Sequence, residues 1–321
     1  MNPTNIEWVK NPDGTQGFTW NPITGCLNHT NGLCKGGNFP CYAYKLAHGR
    51  LRQNYLLSNA IQIENDQQVG KPKSVLLEGS RYWDLYNPFY PRFWHERLFF
   101  DMGSNPKGIF VCDMGELFGN WIPEQWVNRI LWAIKARPNN RFYILTKQLQ
   151  NILRWSPFPE NCWVGITATN GKYLLEALET FPNIKASVKF ISIEPMLGEV
   201  KTDYVPNIQN VLGIPFPWWQ RIDWLIIGAC TGSKTEMSGL IQRYPELTVM
   251  PYANKWTAQP RIKWVREIVE TADRVGIPVF LKDSLSLLLP SGYGCDYNHW
   301  AYRDGKLRQE FPLIKPSMST K

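Results

Sequence analysis

Short apolar runs rich in β-branched and aromatic residues recur along the chain with longer amphipathic stretches between them, and this alternation constrains the fold more than any other feature. Gly108-Ile-Phe-Val-Cys112, Arg141-Phe-Tyr-Ile-Leu145, Cys162-Trp-Val-Gly-Ile166, Val188-Lys-Phe-Ile-Ser-Ile193, Asp223-Trp-Leu-Ile-Ile-Gly228 and Pro278-Val-Phe-Leu281 read as buried parallel strands. After Pro123, which suits a first helical turn, Trp126, Val127, Ile130, Leu131 and Ile134 recur at helical spacing. Trp264, Val265, Ile268, Val269 and Ala272 do the same and stop at Gly276, a helix-ending residue. Strand–helix alternation over most of a chain gives a parallel sheet with right-handed crossovers. With a further strand expected at 17–25, the sequence predicts an α/β fold, a (β/α) barrel, partial or complete, of six to eight strands. One domain is expected over residues 1–312, with insertions at about 58–107 and 231–258, followed by a mobile tail at 313–321. Insertions of this length are commonly lids or binding elements.

Composition narrows the partners. Lys and Arg outnumber Asp and Glu by 35 to 27, a net charge of +8 that favours phosphate-bearing molecules. Fifteen Trp, fourteen Tyr and fifteen Phe can fill a core or stack on bases. Seven cysteines, an odd number, with no apolar leader argue against a disulfide framework and for a reducing, cytoplasmic setting. No apolar run nears the ~20 residues of a membrane span, so no transmembrane helix is expected.

Three of the cysteines are gathered after the first expected strand, in Cys26-Leu-Asn-His-Thr-Asn-Gly-Leu-Cys34 and then Lys-Gly-Gly-Asn-Phe-Pro-Cys41. Three thiolates can hold a metal centre yet leave it one ligand short of the four that iron–sulfur clusters normally take, which opens a position for something other than protein. A structural zinc site with His29 or His48 as fourth ligand is the alternative, although the spacings are wider than those of the usual zinc pairs. The surrounding Gly and Asn residues make this a loop rather than a core element. Cys112, Cys162 and Cys230 fall in or just after apolar strands and read as small core residues, and Cys295 has no assigned role.

In a parallel barrel the active face lies at the C-terminal ends of the strands. The residues there are polar: Asp113-Met-Gly-Glu116, Thr146-Lys147, Thr167-Ala-Thr169-Asn170, Glu194-Pro195, Gly228-Ala-Cys-Thr-Gly-Ser233 and Lys282-Asp283. Each has an ordinary structural reading. Glu116 and Glu194 suit helix caps or ion pairs, Thr167, Thr169 and Asn170 suit turns and N-caps, and the Gly228–Ser233 stretch is a weak phosphate-nest pattern. Their joint placement is what points to a site.

Thr19-Trp-Asn-Pro-Ile-Thr-Gly-Cys26 with Cys34 and Cys41-Tyr-Ala, Phe89-Tyr-Pro-Arg-Phe-Trp-His95, Ile109-Phe-Val-Cys-Asp-Met-Gly-Glu-Leu-Phe118, Leu145-Thr-Lys147, Phe190-Ile-Ser-Ile-Glu-Pro-Met-Leu-Gly198 and Ile222-Asp-Trp-Leu-Ile-Ile-Gly228 occur in order. Together they resemble the radical S-adenosylmethionine-like proteins of phages and prokaryotes with a three-cysteine motif, grouped as the domain of unknown function DUF5131. The gap from Cys34 to Cys41 is longer than the family's usual one, and Lys282-Asp-Ser-Leu stands where the family tends toward Lys-Gln-Trp-Gly. The resemblance implies a radical-SAM-like fold in which Cys26, Cys34 and Cys41 each ligate one iron of a 4Fe-4S cluster. The free iron would chelate S-adenosylmethionine, and reduction would release a 5′-deoxyadenosyl radical. It further implies that Met114, Gly115 and Glu116 receive the methionyl amino group. Thr167, Thr169, Asn170 and Glu194 would bind ribose hydroxyls or carboxylate, and Lys147 and Lys282 an anionic substrate group. The catalytic candidates are accordingly Glu116, Lys147, Glu194 and Lys282.

Three functions compete. The leading one is a radical enzyme acting on a nucleotide or nucleic-acid base, supplied by an external electron donor and open to a partner protein. A zinc-stabilised nucleic-acid-binding protein without catalysis is the second. An acid–base barrel enzyme using Glu116, Glu194 and Lys147, with incidental cysteines, is the third.

Overall fold

The computed structural model describes residues 1–58, 62–64, 67–69, 73–200, 219–289 and 296–313. Of the tail expected at 313–321, only Leu313 lies within them, and Cys295 lies outside them. The chain divides into two compact units, Met1–Cys162 and Trp163–Lys321, each a mixed α/β assembly around mostly parallel strands.

In the first unit β1 (Phe18–Trp20) is followed by α1 (Tyr42–His48), β2 (Gly108–Val111), α2 (Glu124–Lys135) and β3 (Arg141–Thr146). β2 lies parallel between β1 and β3, with Ile109 opposite both Phe18 and Phe142. All of β2 is buried, as expected of a strand covered on both faces. The strand expected at 17–25 is in fact two pieces, β1 and Ile23–Thr24. Pro22 cannot donate to a ladder, and the chain turns there to pair Ile23–Thr24 antiparallel with Arg92–Phe93, which pairs in turn with Val75–Leu76. The insertion around 58–107 is therefore pinned to the strand that precedes the cysteines. Trp94 Nε1 donates to Thr24 Oγ1 (2.8 Å), Arg97 to the Asn21 carbonyl (2.7 Å) and Trp20 Nε1 to the Arg97 carbonyl (2.8 Å).

α2 buries Trp126, Val127, Ile130, Ala133 and Ile134 along one stripe, and Pro123 caps it rather than entering its first turn. Each fully buried isoleucine contributes about 2–3 kcal/mol by removal from water.

The second unit contains β4 (Cys162–Thr167), α3 (Gly171–Thr180), β5 (Val188–Ile193) and β6 (Trp224–Ile227). These are followed by β7 (Cys230–Gly232), α4 (Lys234–Arg243), β8 (Thr248–Tyr252), β9 (Lys255–Gln259), α5 (Ile262–Val275) and β10 (Val279–Leu281). β4, β5, β6 and β10 pair in that order, all parallel, with strand neighbours following chain order. β4, β6 and β10 are buried throughout. The stretch at 231–258 is a folded excursion: β7, β9 and β8 form an antiparallel sheet carrying α4. α5 ends as anticipated, with Gly276 left-handed at φ 73°.

Candidate functional site

The cysteine loop starts at Gly25, whose φ is +87° and whose missing Cβ would lie 2.6 Å from the Phe89 carbonyl oxygen, so only glycine fits. Gly25 N–H donates to the Met114 carbonyl (2.9 Å) and its own carbonyl accepts the Glu116 N–H (3.3 Å). Segment 114–116 thus runs beside the loop as a short parallel bridge between Gly25 and Gly115. Cys26 follows, its N–H donating to the Phe89 carbonyl (3.1 Å) and its sulfur accepting the Asn28 N–H (3.2 Å).

His29–Thr30 and Leu33–Cys34 then form a hairpin. Its turn residues, Asn31 and Gly32, both have positive φ (48° and 82°), the geometry an Asn-Gly pair supplies in a type I′ turn. Phe39–Pro40 adds a third strand and sets Phe39 opposite Cys34. Cys41 ends the ribbon as the N-cap residue of α1; its N–H donates to the Gly32 carbonyl (2.9 Å) and its carbonyl accepts the Lys45 N–H (3.2 Å). Three different devices, a strand end, a hairpin and a helix cap, therefore position the three thiols. Cys26 and Cys41 pack on one apolar cluster of Ala43, Ala47, Tyr55, Phe89, Trp94 and Met114.

Burial pushes the Cys26 thiol well up, and the charges of Glu116, Cys34 and Cys41 add to the effect. Burial also raises Cys34, while the nearby Lys147 ammonium pulls it down and Cys41 and Glu116 push it up. His29 Nδ1 accepts the Gly32 N–H (3.3 Å), and His48 Nδ1 lies 3.0 Å from the Tyr44 carbonyl with its ring stacked on Tyr44. Both imidazoles considered as a fourth zinc ligand are engaged in the packing of the loop and α1. Among the described residues, no three His, Cys, Asp or Glu side chains form a group that could hold a metal ion.

Glu116 is buried, and three donors meet it. Oε1 accepts the Thr146 hydroxyl (2.6 Å) and the Phe118 N–H (3.1 Å), and Oε2 accepts the Lys147 N–H (3.2 Å). Burial raises its carboxyl against these hydrogen bonds. Glu116 therefore ties the end of β2 to the end of β3. The Lys147 side chain lies along the Cys34 hairpin, its ammonium 5.9 Å from the centre of the Phe39 ring.

Sequence reasoning missed three members of this group: Asn21, Tyr42 and, as an ionisable candidate, Asp113. Asn21 Nδ2 donates to Asp113 Oδ1 (2.6 Å), Asn21 Oδ1 accepts the Met114 N–H (3.0 Å), and the Tyr42 hydroxyl donates to the Asp113 carbonyl. Burial, opposed by the Asn21, Thr19 and Tyr42 hydrogen bonds, pushes the Asp113 carboxyl up to about 6. The usable signal was the position of Asp113 directly after a strand.

The second unit holds the remaining candidates. Glu194 and Lys282 form an ion pair, and a Cβ on Gly228 would stand 3.0 Å from Lys282 and 3.2 Å from Glu194, so Gly228 leaves the room the pair occupies. Asn170 caps α3, Oδ1 accepting the Tyr173 N–H (3.2 Å), which is its ordinary structural reading. Thr167 and Ser192 are register partners on β4 and β5, both buried, and neither hydroxyl has a hydrogen-bond partner. Ser192 was not anticipated. Thr169, two positions after Thr167, is buried, its carbonyl accepting the Leu197 N–H (2.8 Å). The Gly228–Ser233 stretch is no phosphate nest: β7 occupies it, and the N-terminus of α4 is closed by a capping box in which Glu236 accepts the Ser233 N–H (2.6 Å).

The structure accordingly gathers Cys26, Cys34, Cys41, Met114, Gly115, Glu116 and Lys147 in one unit, and Glu194 with Lys282 and Thr167 with Ser192 in the other. Residues 3–238 match the family described as "Protein of unknown function (DUF5131)". Among curated proteins none matches the chain. Among solved structures, spore photoproduct lyase complexed with dinucleoside spore photoproduct is 12% identical, covers 84% of this chain and 73% of its own, and superposes with a TM-score of 0.38. A cysteine-to-serine mutant of spore photoproduct lyase is 10% identical, with coverages of 85% and 74% and a TM-score of 0.35. These likenesses are slight.

Proposed function

The chain belongs to the DUF5131 family, and from that premise we propose that it is a radical S-adenosylmethionine enzyme acting on a nucleotide or nucleic-acid base. The observation that carries the reading is that a strand end, a hairpin and a helix cap set three cysteines, Cys34 buried and Cys26 and Cys41 half-buried, in one loop beside segment 114–116. Thiolate sulfur is the donor iron–sulfur clusters take, and an N–H on a ligating sulfur, as Asn28 offers Cys26, is one of the ways proteins tune them. When bound at Cys26, Cys34 and Cys41, a 4Fe-4S cluster with S-adenosylmethionine would supply a 5′-deoxyadenosyl radical.

The rest falls to side chains. Glu116 Oε2 accepts one hydrogen bond and keeps a lone pair for the methionyl ammonium, with Met114 and Gly115 beside it. The partnerless Thr167 hydroxyl suits a ribose hydroxyl, with Thr169, Asn170 and Glu194 as further candidates. Lys147, and Lys282 in exchange with Glu194, would hold an anionic substrate group. The proposal takes residues 1–312 as one partial (β/α) barrel, cytoplasmic and served by an external electron donor. No helix among the described residues is long and apolar enough to cross a membrane.

Anaerobic reconstitution should yield a brown protein with iron and sulfide in equal amounts that forms 5′-deoxyadenosine from S-adenosylmethionine when reduced. A colourless protein that takes up zinc alone would sink the proposal.

A further inference from the structure

Tyr82, Trp83 and Tyr86 are 70%, 60% and 58% exposed, and they sit on a single 3₁₀ turn, Tyr82–Tyr86. Asp84, buried, accepts the Arg81 N–H (2.8 Å). Arg92, wholly buried, donates from Nη2 to the carbonyls of Leu85 (3.3 Å) and Asn87 (2.8 Å) at the end of the turn. The two tyrosine hydroxyls hydrogen-bond to each other (2.6 Å), locking their rings edge to face, and the Arg81 guanidinium lies over Trp83, 4.8 Å from its centre. A buried arginine is costly to desolvate, and here it holds the backbone at the end of a turn whose aromatic rings the core does not use.

A second observation supplies the charge. From Asp13 to Glu64 the chain has no acidic residue between, while Lys35, Lys45, Arg50 and Arg52 fall in that interval and are exposed. The basic residues lie on the cysteine hairpin, on α1 and around the following helix Arg52–Leu57. That pair of helices and the segment after the aromatic turn share one cluster, Ala43, Ala47 and Tyr55 packing with Phe89 and Trp94. The same segment reaches the loop: Phe89, three residues beyond Tyr86 and so within about 11 Å of it, accepts the Cys26 N–H.

We propose that the exposed aromatic turn Tyr82–Tyr86 and the basic stretch from Lys35 to Arg52 form a binding surface for single-stranded nucleic acid, with bases stacking on the rings and phosphates meeting the cations. Base–aromatic stacking is tolerant of sequence, and Lys and Arg recognise the backbone. The inference deepens the substrate class proposed above, from free nucleotide to polymer. It rests on that reading only for what the strand is brought to, because binding needs no cluster.

The test is fluorescence anisotropy of labelled twelve-nucleotide oligothymidylate and oligouridylate with the full chain, with thermal melting of every variant as a folding control. Wild type should bind with an affinity that falls as salt rises. Trp83→Ala/Tyr86→Ala should bind at least about tenfold more weakly, and Trp83→Phe/Tyr86→Phe should retain binding. Arg50→Glu/Arg52→Glu should weaken binding and flatten the salt dependence. Absence of salt-dependent binding, unchanged affinity in the alanine pair, thymidine monophosphate binding as tightly as the oligomer, or binding of anionic lipid vesicles in place of oligomer would each overturn it. Oligomer binding without 5′-deoxyadenosine formation would sink the radical reading and leave this one standing; 5′-deoxyadenosine formation without oligomer binding would do the reverse.

Discussion

Asp113 shows how one carboxyl can be anchored by its surroundings. Burial holds it at about 6 although its hydrogen bonds favour the charged form. The folded state therefore binds more protons than the unfolded state between the ordinary carboxylate pKa near ~4 and 6. Its contribution to stability is complete below that window and is lost as pH rises through it, by at most about 3 kcal/mol. Asp113→Asn should accordingly flatten the fall in urea midpoint between pH 4 and 6; an unchanged slope would assign the effect to other groups. The residue was visible in the sequence as the first polar position after a strand. Its partners were not, because Asn21 is 92 positions away and Tyr42 is 71. Ser192 was hidden for a different reason: a serine inside an apolar strand reads as a neutral core position until its neighbour is known to be Thr167.

The elements most legible in the sequence were those whose signals are local. The six apolar runs are strands, and Gly276 and Asn170 end and start helices as their residue types suggest. Pro22 is the exception, since an apolar run that continues past a proline gives no warning that its second half joins another sheet. The strands of the excursion at 231–258 are likewise not legible locally, because β7 and β9 meet only through antiparallel pairing across α4. Asn170 is both a helix cap and a candidate ligand. Asn170→Ala should cost about 1 kcal/mol in urea unfolding and Asn170→Asp almost nothing, since both natural residues cap equally well. If both variants unfold like wild type, the cap is not what this side chain provides.

Across the whole molecule the cysteines separate into two populations. Cys26, Cys34 and Cys41 lie in the glycine-rich loop, whereas Cys112, Cys162 and Cys230 lie in or next to strands and are all buried. Serine at any of the first three should lower bound iron to a small fraction of wild type after reconstitution, while Cys162→Ala should leave iron content intact and register only in thermal stability. Equal iron in all four variants would remove the loop from consideration. The succession of strands, the basic balance and the spacing of the loop cysteines were determined by the sequence itself, because periodicity, charge and turn chemistry act over a few residues. Which groups face those cysteines was decided by tertiary structure alone. Glu116 reaches Thr146 and Lys147 across 30 and 31 positions, and Gly25 meets Met114 at a crossing where a Cβ on Gly115 would stand 3.0 Å from the Gly25 carbonyl oxygen. Contacts of that kind come from packing, which leaves no local pattern to read.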